Sequence, residues 1–122
     1  MLKPKSLFQV VTLCGSTRIG KEFWGEVAHN LSLMGYIVLK VDVWGLWEEM
    51  HNGSKKAEKE MLDAMHKRKI EMSDFVYVLN KNGYIGKSTT SEIEYAEKLG
   101  KIVIYMEPTG KDLANHITSK YS

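Results

Sequence analysis

Leu7-Phe8-Gln9-Val10-Val11-Thr12-Leu13-Cys14-Gly15-Ser16-Thr17-Arg18-Ile19-Gly20 is the stretch on which the fold turns. Its first half, Leu7–Leu13, is β-branched and apolar and stops at Gly15, the pattern of a central strand buried on both faces rather than of an amphipathic edge. Such a strand needs helices on both sides of its sheet, so the flanking chain should alternate strand with helix.

Working outward, that alternation is present. From Lys21 to Met34 the apolar residues Phe23, Trp24, Val27, Ala28, Leu31 and Met34 recur at spacings of three and four, and Gly35 follows, which predicts a helix with a glycine stop. Tyr36–Val41 reads as the second strand. Asp42–Ser54 mixes tryptophan, glycine and asparagine, the composition of a structured loop or lid, with one helical turn around Leu46–Met50. Ser54 can cap a long helix to about Met72 that carries Ala57, Met61, Ala64, Met65 and Ile70 inward. Phe75–Leu79 is the third strand, Thr89–Leu99 a helix closed by Gly100, and Ile102–Met106 the fourth strand. A short helix from about Lys111 to Ile117 ends the reading. The expected fold is α/β, a three-layer flavodoxin- or Rossmann-like domain with a mainly parallel sheet of four to five strands and right-handed crossovers.

Composition bounds the function. The 122 residues fit a single domain, 1–122, with no Pro-, Gly- or Ser-rich linker, and 43% hydrophobic against 26% charged residues is the balance of a globular core. A net charge of +2, with Lys and Arg interleaved with Glu, argues against a long nucleic acid as partner but leaves room for one small phosphate. Cys14 is the sole cysteine, so the chain forms no internal disulfide and a reducing, cytoplasmic setting is expected. Lys3 and Lys5 before an apolar run imitate a leader, but Gln9 and Thr12 interrupt it, and no stretch approaches the length of a membrane span. His29, His51, His66 and His116 form no His-x-His or helical pair, so neither metal nor cofactor is expected.

In a parallel α/β sheet, ligands bind beyond the carboxyl ends of the strands, which directs attention to the segments that follow them. Cys14-Gly15-Ser16-Thr17-Arg18-Ile19-Gly20 leads from strand to helix, where backbone N–H groups and the helix dipole favour an anion and Arg18 can add a bidentate contact. It is neither a dinucleotide fingerprint nor a Walker-type loop. A purely structural alternative is a glycine turn with Ser16 or Thr17 as the cap. The segment Asn82–Ala96 is a second glycine- and hydroxyl-rich entry into a helix, with Glu92 in what reads as the first turn and Glu94 on a solvated face. On spacing alone, Thr89-x-x-Glu92 matches a capping box better than a functional carboxylate. Asp74 opens the third strand and, taken alone, reads as an exposed strand-edge acid. Trp44 and Trp47 suit base stacking and core packing equally.

Taken together, Val11–Arg18, Ile70–Val78 and Ser91–Ala96 resemble the nucleoside 2-deoxyribosyltransferase superfamily, in motif closest to its nucleoside 5′-monophosphate N-glycosidase branch. The resemblance runs from the first strand to the fourth. It implies a carboxylate nucleophile at Glu92, an active-site acid at Asp74 and a substrate-binding turn at Gly15, Ser16 and Arg18. In the phosphate-using branch, the Gly-Ser-x-Arg turn and a serine ahead of the nucleophile hold the 5′-phosphate, which here points to Ser16, Arg18 and, with Gly86 beside it, Ser88. The chain departs from the pattern at Glu94, where a glycine commonly follows the nucleophile. The resemblance further implies a small nucleoside or nucleotide as substrate and a homodimer or larger homo-oligomer that completes each pocket from the neighbour. The expected activity is hydrolysis or base transfer at an N-glycosidic bond. A nucleotide-binding sensor or sponge on the same fold, with Glu92 as a mere cap, is the competing expectation.

Overall fold

The computed structural model describes residues 8–44 and 56–109. The turn around Leu46–Met50, the Ser54 cap, Trp47 and the Lys111–Ile117 helix lie outside these residues.

Among the described residues, four strands alternate with three α-helices: β1 (Val10–Gly15), α1 (Lys21–Leu33), β2 (Ile37–Leu39), α2 (Lys56–Met72), β3 (Phe75–Leu79), α3 (Lys87–Lys98) and β4 (Ile102–Tyr105). All pairings are parallel and the strand order is β2-β1-β3-β4. The α/β, three-layer architecture expected from the sequence is the one observed. β3 occupies the residues read for it, and its burial is complete from Phe75 to Leu79, as a strand covered by helices on both faces requires.

The period of two divides the core. Val11, Leu13, Phe75, Tyr77 and Leu79 point to one face and pack with Trp24 and Leu31 of α1. Cys14, Val76 and Val78 point to the other and pack with Ile70 of α2 and Ile93 and Ala96 of α3. Both expected glycine stops close their helices. Tyr36 N–H donates to Leu31 O and Gly35 N–H to Ser32 O, and the same paired bonds run from Lys101 to Ala96 and from Gly100 to Glu97. Gly35 and Gly100 adopt positive φ, 94° and 76°, which a side chain would strain.

The inward face of α2 differs from the expected one. Met61 and Met65 are about half exposed, and the buried residues are His66 and Ile70. The helix has no broad apolar stripe because its upper turns border a cavity rather than the core, so Lys59, Leu62, Asp63 and His66 occupy the inward side. Its lower end is pinned: Thr12 Oγ1 donates to Lys69 O at 3.0 Å and Lys69 Nζ to Lys40 O at 2.7 Å. Among the described residues no helix is long and apolar enough to cross a membrane.

The strand order matters for function. The chain leaves β1 for β2 on one side and returns to β3 on the other, so the connections after β1 and β3 diverge and open a crevice above their carboxyl ends.

Candidate functional site

That crevice is a cavity of about 410 Å³, within the range of small-ligand sites. Gly15 lines it from the end of β1, Ser16 and Arg18 from the turn that follows, Gly86 and Ser88 from the start of α3, and Glu92 from one turn further along. Six of the seven residues singled out in the sequence therefore border one cavity.

Asp74 does not. It immediately precedes β3, at the opposite end of the strands from the cavity, where its Oδ2 accepts from Val10 N–H at 2.7 Å and its own N–H donates to Val10 O at 2.7 Å. Its task is to fasten the start of β1 to the start of β3. Among the described residues, the acidic groups that line the cavity are instead Asp63, Asp42 and Glu92. Nothing in the sequence marks Asp63, which reads as one acid on a mixed helix face; only the path of α2 over the sheet brings it to the cavity wall.

The turn after β1 is held from several sides. Ser16 Oγ accepts from Arg18 N–H at 3.1 Å, and Ser16 O accepts from Ile19 N–H and from the Trp24 indole, at 3.2 and 3.1 Å. The serine hydroxyl hydrogen is left to donate toward a ligand. Trp44 packs edge-on against Trp24, centroids 5.8 Å apart, and also lines the cavity, so it serves core and site together.

The start of α3 is a second donor surface. Gly86 is the cap residue, with no side-chain cap bond, and Thr90 N–H to Gly86 O at 2.9 Å is the first bond of the helix. The amides of Lys87, Ser88 and Thr89 thus have no partner within the helix and favour an anion. Arg18, Lys59, Lys69 and Lys87 add positive charge to the lining. Lys59 is paired with Asp63 at 2.7 Å.

The capping box does not form. α3 begins at Lys87, so Glu92 lies in its second turn, and Thr89 is buried within the helix rather than at its cap. Glu92 is therefore beyond the reach of the α3 dipole. Burial pushes its carboxyl up to about 8, the Asp63 charge adds to the rise, and Cys14, Lys67 and Lys59 oppose it. Glu92 is protonated at neutral pH in the ligand-free protein.

Beneath Glu92 lie His66 and Cys14. His66 Nε2 is 3.6 Å from Glu92 Oε1 and 3.7 Å from Cys14 Sγ. Burial, then the Lys69 charge, lowers the imidazole to about 4, with Asp63 opposing, so His66 and Glu92 are both neutral at pH 7 and their contact is not an ion pair. Burial also pushes the Cys14 thiol up, as does the adjacent Glu92. His66 Nδ1 is buried without a hydrogen-bond partner among the described residues, which costs about 1–3 kcal/mol.

No protein-family model and no curated protein matches this chain. The functional reading accordingly rests on the cavity's geometry and on the motif resemblance.

Cys14 Sγ, His66 Nε2 and a Glu92 carboxylate oxygen all fall within 4.8 Å of one another, a donor set that could hold a metal ion. The histidine spacing considered in the sequence could not show it. The three residues come from β1, α2 and α3, with Cys14 and His66 52 positions apart, and only the three-layer packing joins them.

Proposed function

We propose that this protein cleaves the N-glycosidic bond of a nucleoside 5′-monophosphate or nucleoside, by hydrolysis or base transfer, with Glu92 as nucleophile. The observation that carries the reading is one largely buried carboxyl lining the same cavity as two surfaces suited to an anion, the Gly15–Arg18 segment and the start of α3. Bond cleavage at the anomeric carbon develops positive charge on the sugar and negative charge on the base. A catalyst then needs an anion against the sugar and a donor near the base.

Ser16, Arg18 and Ser88 with the free α3 amides suit a 5′-phosphate, and binding it there would hold the sugar over Glu92. Attack by the ionised carboxylate gives a glycosyl ester that water or a second base resolves, as the second carboxylate of a retaining glycosidase does. Glu92 must lose its proton first, and cations near it, Lys59 and Lys67, favour that loss. The place beside the nucleophile that the resemblance implied for Asp74 is taken by Asp63, which lines the cavity as a carboxylate paired with Lys59 and so suits binding the sugar hydroxyls or the base.

A non-catalytic nucleotide-binding role is the second reading. It is favoured by the protonated state of Glu92 in the ligand-free site and by the distance of Asp74 from it.

Chromatographic detection of free base from a panel of ribo- and deoxynucleosides and their 5′-monophosphates, with and without an acceptor base, separates the two. Base release is expected from the wild type and a loss on the order of 10³-fold or more in Glu92→Ala. Near-normal release by Glu92→Ala would sink the nucleophile assignment, and binding without release across the panel would establish the sensor. Arg18→Ala should raise KM for monophosphates about 10–100-fold, as expected for loss of a charge-assisted contact, with free nucleosides little changed. Equal effects on both would remove the phosphate from this turn.

A further inference from the structure

We infer that Cys14 Sγ, His66 Nε2 and the Glu92 carboxylate form a mononuclear site for a borderline-soft divalent cation, zinc above all, with its fourth position open to the cavity. Two of the three ligand–ligand separations match that ion. Zinc bonds of about 2.0–2.3 Å to N, O and S put neighbouring ligand atoms of a tetrahedron about 3.3–3.6 Å apart. The Cys14–His66 and His66–Glu92 separations are 3.7 and 3.6 Å, and the third edge is within 4.8 Å.

The chemistry fits as well. A His66–Glu92 contact of 3.6 Å is too long for a hydrogen bond, and the Cys14 thiol joins the two only through weak bonds to sulfur, so the three donors converge on a common point with little strong bonding among themselves. The three donors are a thiol, an imidazole and a carboxyl, and the thiol selects zinc over magnesium or calcium. Each donor is carried on a different packed element, which makes the arrangement rigid: Cys14 is fully buried at the end of β1, His66 is buried on α2, and Glu92 is mostly buried on α3. His66 and Glu92 also line the cavity, so an entry path and an open coordination position are present. Binding replaces the thiol proton with a metal–sulfur bond and the Glu92 carboxyl proton with a metal–oxygen bond, and both protons leave to solvent.

The site stands on these positions alone. Its functional consequence rests on the glycosidic reading: a cation held by Glu92 occupies the nucleophile, so zinc inhibits the proposed reaction rather than supporting it.

The test is a cobalt titration of chelator-treated, desalted protein. The expected result is a near-ultraviolet thiolate-to-cobalt charge-transfer band that saturates at one cobalt per chain, is bleached by zinc and is unaffected by excess magnesium. Cys14→Ser should abolish the band, and His66→Gln and Glu92→Gln should weaken binding at least about tenfold. His29→Gln, a change at an exposed histidine on α1, should leave it intact. Circular dichroism checks that each variant is folded. Absence of the band in wild type overturns the site whether or not the variants fold, and so does a band that survives in folded Cys14→Ser. Base release, followed in the same samples, is expected to fall in step with zinc occupancy. Zinc binding with undiminished release would overturn the inhibition while leaving the site, and no release from metal-free protein would overturn the glycosidic reading while the cobalt spectrum still decides the site.

Discussion

A carboxyl group in the second turn of a helix, above a thiol and an imidazole and with its side chain 17% exposed, loses more hydration than any helix terminus restores, which is why Glu92 is pushed up to about 8. The spacing that suggested a capping box was legible in the sequence, but where α3 begins was not: Gly86 opens it, three residues before the Thr89 that the capping reading needs. Asp74 shows the complementary difficulty. An acid that opens a strand has the same local sequence whether it catalyses or fastens the backbone, and here it accepts from Val10 N–H at the end of the strands away from the cavity. Two substitutions divide these roles. Asp74→Ala should lower unfolding stability by about 1 kcal/mol and leave base release within about twofold, because it removes a hydrogen bond distant from the cavity. Asp63→Asn should reduce release and also move the alkaline rise of the pH–rate profile to lower pH, because the Asp63 charge is one cause of the raised Glu92 value. A pH–rate profile that stays in place in Asp63→Asn, or one that moves in Asp74→Ala, would reverse the two assignments.

Two elements present the cavity's donor groups, and they tolerate change differently. The turn after β1 is packed into the sheet: a Cβ on Gly15 would stand 3.1 Å from Leu79 Cβ, 3.2 Å from Leu79 O and 3.4 Å from the Trp24 ring. Backbone and core must both move to admit it. The start of α3 is looser, since a Cβ on Gly86 would meet chiefly the Tyr84 hydroxyl, at 3.1 Å, on a half-exposed and movable side chain. Gly86 also has an ordinary backbone conformation, φ −79° and ψ 175°. Gly15→Ala should therefore cost about 1–3 kcal/mol of stability and weaken monophosphate binding, whereas Gly86→Ala should be close to neutral in denaturant titration. Equal costs would mean that the two turns share one degree of packing. The sequence showed both glycines as turn formers; it could not show that one abuts a neighbouring strand.

At the scale of the whole molecule, periodicity and glycine stops were enough to give the parallel sheet and its layers, because a buried strand such as Phe75–Leu79 and a closed helix such as Lys21–Leu33 are local signals. The inward face of α2 and the meeting of Cys14, His66 and Glu92 were not legible, because they depend on how one layer lies over another. That meeting makes the stability of the metal-free protein depend on pH in a way that can be worked out. The folded state holds a proton on Glu92 up to about 8, whereas an unfolded chain releases it near 4.5, so this group makes stability fall as pH rises across that interval. His66 acts in the opposite sense. Its folded value of about 4 lies below the unfolded 6.5, so stability rises with pH between those limits. The two slopes oppose each other from about 4.5 to 6.5, and above 6.5 only the Glu92 effect remains. Stability should accordingly be nearly flat at mildly acid pH and then decline towards pH 8 by up to about 1.4 kcal/mol per pH unit, levelling off beyond. Glu92→Gln should abolish the decline and leave a curve that falls only on the acid side, through His66. Urea titrations in the presence of a chelator at several pH values on either side of 6.5 measure both limbs. A decline of the same size in wild type and Glu92→Gln would show that the folded protein does not hold the Glu92 proton, and that the floor of the cavity is better hydrated than its packing indicates.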